Sequence, residues 1–471
     1  MSLTTSIAKN TLLQVIGRFV GTILGLFSVA LLTRYLGPPG YGSFTTITGF
    51  LQFFGILVDF GLTLTAVQMI SEANADAARI MGNIFTFRFI SALIFFGAAP
   101  LIVLFFPYPP DVKMGVAIGS LAFLGMTMTQ VMVGIFQKNL RVEQVALAEV
   151  AGRAVLLAGI GLVVYLHAGL MMTIWALVAG NVVQFLITLA AGRRLIPFKL
   201  AFNPPLIRDI IRRSWPIGLS ITFNLIYLKG DVVILSLFRG QAEVGLYGAA
   251  YKVLDVVTVI PMMFMGLVLP TLVAAWSYDK EIFKRRLQKA FDFSTLLALP
   301  LVGGALVLGR DIMTFVASGE FAGSGTILKV LIIAAGAVFF SALYGHTVIA
   351  IGKQRRSIWG YGIDAVLSLI AYLIIVPRFG AIGAAWVTVF SEIFIMFYLA
   401  TLVARTVGVT QSIRTGAKAF VATVIMMAAL YTLPPLHVMV KVIAGVMVYG
   451  IAALLLRAVS VETLREFKKS V

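Results

Sequence analysis

The chain has 471 residues, of which 60% are hydrophobic and only 12% charged, with a mean hydropathy of +1.01. Soluble domains carry about 25% charged residues, and no aqueous globule of this length could enclose so much apolar surface, so the solvent is lipid. The lack of cysteine excludes disulfides, thiolate metal sites and thiol catalysis, and the net charge of +18 needs a partner or a topological explanation.

The apolar runs have helix length rather than the short alternating pattern of barrel strands. They predict an all-α polytopic membrane protein of about 14 transmembrane helices, near residues 11–35, 42–70, 83–106, 113–136, 145–166, 170–192, 214–238, 244–275, 291–309, 327–350, 358–376, 380–404, 416–433 and 439–457. The first run lacks the charged region and cleavage site of a signal peptide and reads as a retained span. With both termini in the cytoplasm, most of the 37 Lys and Arg residues fall on inner segments. The basicity is then topology and anionic-lipid contact, and nucleic acid is not expected as a partner.

The first span ends in Arg34-Tyr35-Leu36-Gly37-Pro38-Pro39-Gly40-Tyr41-Gly42-Ser43-Phe44, and a similar turn returns 203 positions later, where Gly240, Gly245 and Tyr247 stand for Gly37, Gly42 and Phe44. A turn glycine with φ > 0 followed by a small residue is expected in both copies. A second echo, at an offset of 211, sets Gly169 and Trp175 against Gly380 and Trp386. Spans one to six therefore resemble spans seven to twelve. An even number of crossings separates the copies, so both face the same way, around a pseudo-twofold axis and a central cleft. The expected division is an N-lobe over 1–194, a cytoplasmic linker over 195–213, a C-lobe over 214–405, and two further helices with a tail over 406–471. Within the linker, Leu206 to Arg213 reads equally as an interfacial amphipathic helix or as a solvated basic loop.

Polar residues recur at helical spacing inside the spans. Span one carries Gln14 and Arg18 beside a Gly17–Gly21–Gly25 ladder that would admit a closely packed neighbour. Span two carries Gln52 and Asp59, span three Arg88, and span five Glu149 and Arg153. Span seven carries Asn224, Tyr227, Lys229 and Asp231, and span eight Tyr251, Lys252 and Asp255. Asp364 and Glu392 lie on spans eleven and twelve. A mid-bilayer charge costs about 2.5–3.5 kcal/mol on insertion scales, so these groups face one another or a wet cavity. Glu149 with Arg153, Lys229 with Asp231, and Lys252 with Asp255 can pair locally. Arg18 and Arg88 have no acid within four positions and suit an anionic ligand, for which guanidinium is the better fork. The tyrosines could stack on sugar rings or belong to an interfacial belt.

Catalytic and cofactor chemistry is missing. Gly352-Lys353 has Thr347 where a phosphate loop needs glycine and Gln354 where it needs Ser or Thr. The three histidines have no metal-ligand spacing, and neither metal nor cofactor is expected. A duplicated bundle with a charged midline and no enzymatic site reads as a transporter.

Arg34-x-Leu36-Gly37, Tyr41-Gly42 and Asp59-Phe60-Gly61-Leu62, followed by Trp215-Pro216-x-x-x-Ser220, Asp231, Gly245-x-Tyr247-x-x-Ala250-x-Lys252 and Pro270, resemble the signature of the bacterial polysaccharide flippases. These form the polysaccharide transporter branch of the multidrug/oligosaccharidyl-lipid/polysaccharide exporter superfamily. The likeness spans about residues 10–405. It implies a protein, not an enzyme, that moves polyprenyl-diphosphate-linked oligosaccharide from the cytoplasmic to the outer leaflet of the inner membrane by alternating access. Arg18, Arg88, Arg153, Lys229 and Lys252, with Gln14, Gln52, Asn224, Tyr227 and Tyr251, would then bind substrate. Asp59, Asp231, Asp255, Asp364 and Glu392 are the candidates for proton, sodium or membrane-potential coupling. The expected partners are the lipid-linked glycan, membrane lipids and polysaccharide polymerase machinery, with the protein itself a monomer. Fourteen spans, shared with the lipid II flippases, keep that branch open as an alternative. So does a drug/cation antiporter, although basic residues in spans one and three oppose it. A membrane glycosyltransferase or ligase would need a larger outer loop than Arg310 to Thr326, and a non-transporting scaffold would gain nothing from buried charge.

Overall fold

The computed structural model describes the backbone of residues 3–72, 74–408 and 410–458, and side chains from residue 17 onward except at 18, 216, 217, 220, 221 and 224–228. Among the described residues thirteen α-helices run in the order α1 (Leu3–Asp59), α2 (Leu62–Ser71), α3 (Ala77–Ile102), α4 (Pro110–Lys138), α5 (Val142–Tyr165), α6 (Gly169–Leu195), α7 (Pro204–Phe238), α8 (Gln241–Tyr278), α9 (Lys280–Val316), α10 (Ser324–Ala350), α11 (Gln354–Val407), α12 (Arg414–Thr432) and α13 (Val438–Leu455). No strand occurs among the described residues. This is the outcome lipid imposes on an open chain, because a helix satisfies every backbone polar group within its own segment.

Among the described residues eleven helical stretches are long and apolar enough to cross a membrane. The two longest, Phe19–Ser71 and Gln354–Val407, have 53 and 54 residues. At 1.5 Å per residue each extends about 80 Å, more than twice a hydrocarbon core of ~30 Å. Each is broken where the sequence placed a turn. In α1 the break is Gly37, at φ 63° and ψ 179°, followed at once by Pro38 and Pro39. A proline costs little at the start of a helical arm, where its missing N–H would have no partner anyway. In α11 the break is Gly380, at φ 56° and ψ −138°. It folds the helix into a hairpin whose arms meet in matched steps. The Tyr398 hydroxyl donates to the Arg356 carbonyl at 2.8 Å, that of Ser391 to Asp364 at 2.5 Å, and Tyr372 and Thr388 share a bond of 3.1 Å.

One sequence expectation changes and one open alternative is resolved. Gly240 does not take a positive φ. The α7–α8 connection turns instead on Arg239, which is extended at φ −128° and ψ 153°, so no left-handed residue is needed. Of the two readings of Leu206 to Arg213, the helix is the one found. It is continuous with the following span as the first part of α7, and Asn203 caps it by accepting from the Leu206 N–H at 3.2 Å. The stretch before it lies along α3, where the N–H groups of Ala201 and Asn203 donate to Thr86 and Asn83 at 3.1 and 2.6 Å. Span nine is likewise longer than its apolar run. α9 starts at Lys280, where Asp279 accepts from the N–H groups of Glu281 and Ile282. Those two bonds hold the Asp279 carboxyl below its ordinary pKa.

The chain divides into two compact units, Met1–Gly248 and Ala249–Val471. In the first, small residues let helices cross closely. Gly115 and Gly119 of α4 receive Ile47 and Leu51 of α1, and a Cβ at Gly152 of α5 or at Gly180 of α6 would lie 2.8 Å from the other's carbonyl. The Gly17–Gly21–Gly25 ladder receives α5, through Ala146 and Arg153. Helix α7 packs against α1, α2 and α3. Among the described residues two apolar clusters lie in this unit. One lies around Leu51, Phe96 and Val116, the other around Ile70, Met81 and Phe136. In the second unit α9 packs against α10, α12 and α13, and α10 against α11.

The echoed turns meet each other inside the first unit. A Cβ on Gly42 would run into the Gln241 carbonyl, and one on Gly245 into the Pro38 carbonyl. On either glycine it would lie 2.9 Å from the other's nitrogen. At the offset of 203, Pro38 corresponds to Gln241 and Gly42 to Gly245, so this is one contact made twice, as at an isologous interface. Thr45 and Gly248, also equivalent, touch as well.

Candidate functional site

Charges inside the spans are the candidate site, and the structure gathers most of the described ones into four groups. One is built on Arg88 of α3, which is 0% exposed. Its guanidinium donates to Asp59 at 2.5 Å and to Gln130 of α4 at 3.2 Å, while the Thr63 hydroxyl donates to the same Asp59 oxygen at 2.5 Å. Asp59 is the last residue of α1, beside the Phe60–Gly61 break that opens α2. One carboxylate therefore ties α1, α2 and α3 at that break, and Gln130 adds α4. The Arg88 Nε has no hydrogen-bond partner among the described residues. The acid that Arg88 lacks within four positions is supplied by a residue 29 positions away, so ligand contact in this state would require Asp59 to be displaced.

In the same unit Asp231 of α7 is fully buried. It accepts from the Tyr247 hydroxyl of α8 at 2.5 Å and from the Val232 N–H at 2.7 Å. Arg153 of α5 pairs with Glu149 at 2.7 Å and donates to the Gly21 carbonyl of α1 at 2.7 Å. Both partners stay about one-third exposed, so this cation is fixed to a neighbouring backbone yet remains accessible.

The second unit handles its charge differently. Asp364 and Glu392 sit on facing arms of the α11 hairpin, 0% and 4% exposed. Asp364 accepts from Ser391 at 2.5 Å and Ser368 at 3.2 Å, and Glu392 from Ser341 of α10 at 3.4 Å. Among the described residues no Lys, Arg or His lies at ion-pair distance from either acid. Lys252 and Asp255 of α8 form a half-exposed pair at 3.4 Å, next to buried Tyr251. Gln52 is half-buried on α1 and Lys229 half-buried on α7. The side chains of Gln14, Arg18, Asn224 and Tyr227 lie outside the described residues.

Sequence spacing found the Glu149–Arg153 and Lys252–Asp255 pairs, because they sit one turn apart. It missed Gln130, Thr63, Ser341 and Ser391. Each is one ordinary polar residue in an apolar run, and only the packing of helices shows what it faces.

A helical bundle with helices long enough to span lipid and ionised groups enclosed within them is a multi-pass membrane protein of transporter type. The chain belongs to the polysaccharide biosynthesis protein family, whose model matches residues 7–276. It is 27% identical over 400 residues, 82% of this chain and 81% of the other, to a protein of Haloferax volcanii named "Probable low-salt glycan biosynthesis flippase Agl15". It is 22% identical to the succinoglycan biosynthesis transport protein ExoT of Rhizobium meliloti, over 77% of this chain and 74% of that one. The solved inward-closed structure of the lipid II flippase MurJ matches the fold with a TM-score of 0.80, over 95% of this chain and 99% of that one, at 17% identity.

Proposed function

We propose that this protein is a flippase that carries a polyprenyl-diphosphate-linked oligosaccharide from the cytoplasmic to the outer leaflet of the inner membrane for cell-surface polysaccharide assembly. The observation that carries the reading is the alignment along 82% of the chain with a relative named as a glycan flippase. The physics fits it. A diphosphate cannot cross hydrocarbon unaided at any useful rate, because burying an unpaired ion is prohibitive. A wet cleft with fixed cations replaces the lost water while the polyprenyl tail stays in the bilayer.

In this reading the chain crosses the membrane fourteen times with both termini in the cytoplasm. The lobes over 1–194 and 214–405 rock about the cleft, and 406–471 adds the last two spans. Arg18, Arg153, Lys229 and Lys252 meet the diphosphate. Gln14, Gln52, Asn224, Tyr227 and Tyr251 meet the glycan. Arg88 acts through Asp59, holding the α1–α2 break. Asp364 and Glu392, acids with hydroxyl partners and no cation at ion-pair distance among the described residues, are the leading coupling groups, ahead of Asp231 and Asp255. The protein works as a monomer and hands its cargo to polymerase machinery at the outer face.

The test is translocation of a purified lipid-linked oligosaccharide in proteoliposomes, read as its accessibility to a glycan-cleaving enzyme on one side. Faster exposure than in protein-free vesicles is expected, with strong loss in Arg18→Ala and Arg153→Ala. Equal exposure with and without protein overturns the reading. Lipid II in the same assay separates the second branch.

A further inference from the structure

Beyond the flippase reading, we propose that the α11 hairpin carries a binding site for one anionic glycerophospholipid, of the leaflet that the topology above makes cytoplasmic. A cavity of about 840 Å³ lies along its two arms. Its floor is the ladder Phe390, Phe394 and Tyr398, one helical turn apart, with successive ring centroids 6.2 and 6.4 Å from each other. Trp359, 73% exposed, forms a wall, and Arg356 and Arg405 stand at one end.

The groove is fixed in shape. Tyr398 is held by its bond to the Arg356 carbonyl, and its ring occupies the space that a side chain at Gly360 would fill. The length suits one leaflet. Phe390 to Arg405 rises about 22 Å along the helix, against about 15 Å for half a hydrocarbon core. The rings therefore lie at acyl depth when the arginines lie among head groups. An aromatic face alone would accept any lipid tail, but charge selects the head. Both arginines are exposed, and neither has an acid at ion-pair distance among the described residues. Their guanidinium forks match phosphate oxygens, and the negative charge of phosphatidylglycerol-type lipids supplies the counterion.

The experiment uses the full chain in phosphatidylcholine nanodiscs, with Trp175, Trp215, Trp276 and Trp386 replaced by Phe so that Trp359 reports alone. Phosphatidylglycerol or phosphatidylcholine with brominated tails is titrated in. The glycerol lipid is expected to quench Trp359 at about tenfold lower mole fraction, and the Arg356→Gln/Arg405→Gln variant to lose that preference. Equal quenching by the two lipids, or a preference that survives the double variant, overturns the proposal. So does displacement of the brominated glycerol lipid by equimolar undecaprenyl phosphate, which would make the groove a carrier site. Native mass spectrometry of the protein with all its tryptophans is the second reading. Bound phosphatidylglycerol should persist in the natural chain and fall away in the double arginine variant, and equal retention refutes the assignment.

Discussion

Two buried acidic sites, one in each compact unit, solve the same electrostatic problem in opposite ways. In the first, the enclosed carboxylate of Asp59 meets a fully buried guanidinium, Arg88, in a tie that reaches four helices. In the second, Asp364 and Glu392 are buried, and among the described residues their hydrogen-bond partners are serine hydroxyls. A paired charge is locked, because losing either partner strands the other in a low-dielectric interior. A carboxyl held by serines can accept a proton or a small cation without dismantling its surroundings. The Arg88–Asp59 pair is thus part of the structure, whereas in the proposed reading Asp364 and Glu392 are the acids left available for coupling.

The contrast can be broken most severely at Arg88. Arg88→Ala leaves Asp59 enclosed without its cation and should lower stability by about 3–5 kcal/mol, read as a drop in melting temperature in detergent. Replacing both partners, as Asp59→Leu with Arg88→Met, should recover most of that loss. A double variant no better than the single one would mean that the pair does more than compensate itself. Next comes Ser391→Ala, which removes a donor from Asp364 and should cost about 1–3 kcal/mol in the same measurement. Asp364→Asn and Glu392→Gln keep the shape and the acceptor oxygen and should change stability by no more than about 1 kcal/mol. Under the proposed function their effect is expected in transport. Flipping by the natural protein should respond to a pH or sodium gradient, and Glu392→Gln should flatten that response; an unchanged response removes Glu392 from coupling. The smallest effect is expected at the half-exposed Lys252–Asp255 pair. Asp255→Ala should shift stability by about 0–1 kcal/mol, while Lys252→Ala should slow flipping if that cation meets the diphosphate.

Much of the fold was legible because lipid permits few solutions. Long apolar runs had to be helices, and the turns at Gly37 and Gly380 were announced by glycine, with proline following the first. Amphipathic ends were harder. Leu206 to Arg213 and the first turns of α9 lie outside the apolar runs, and only their caps, Asn203 and Asp279, mark them as helix. At the site, spacing could find partners one turn apart and no others. Asp59 and Arg88 are joined across three helices, which no periodicity within a single span reveals. Gly240 shows the limit of repeat reasoning, since equivalent positions share a place in the fold without sharing a backbone angle.

The reciprocal crossing of Gly42 and Gly245 bears on how such a chain could arise. Each glycine lies under the carbonyl that corresponds to the one covering its sister, so neither copy depends on being different from the other. A half-length ancestor with a single such turn could have made the same crossing between two separate molecules. Tandem fusion would then have preserved a dimer seam as an internal one, and a bulky residue at either glycine today would damage both sides of it together.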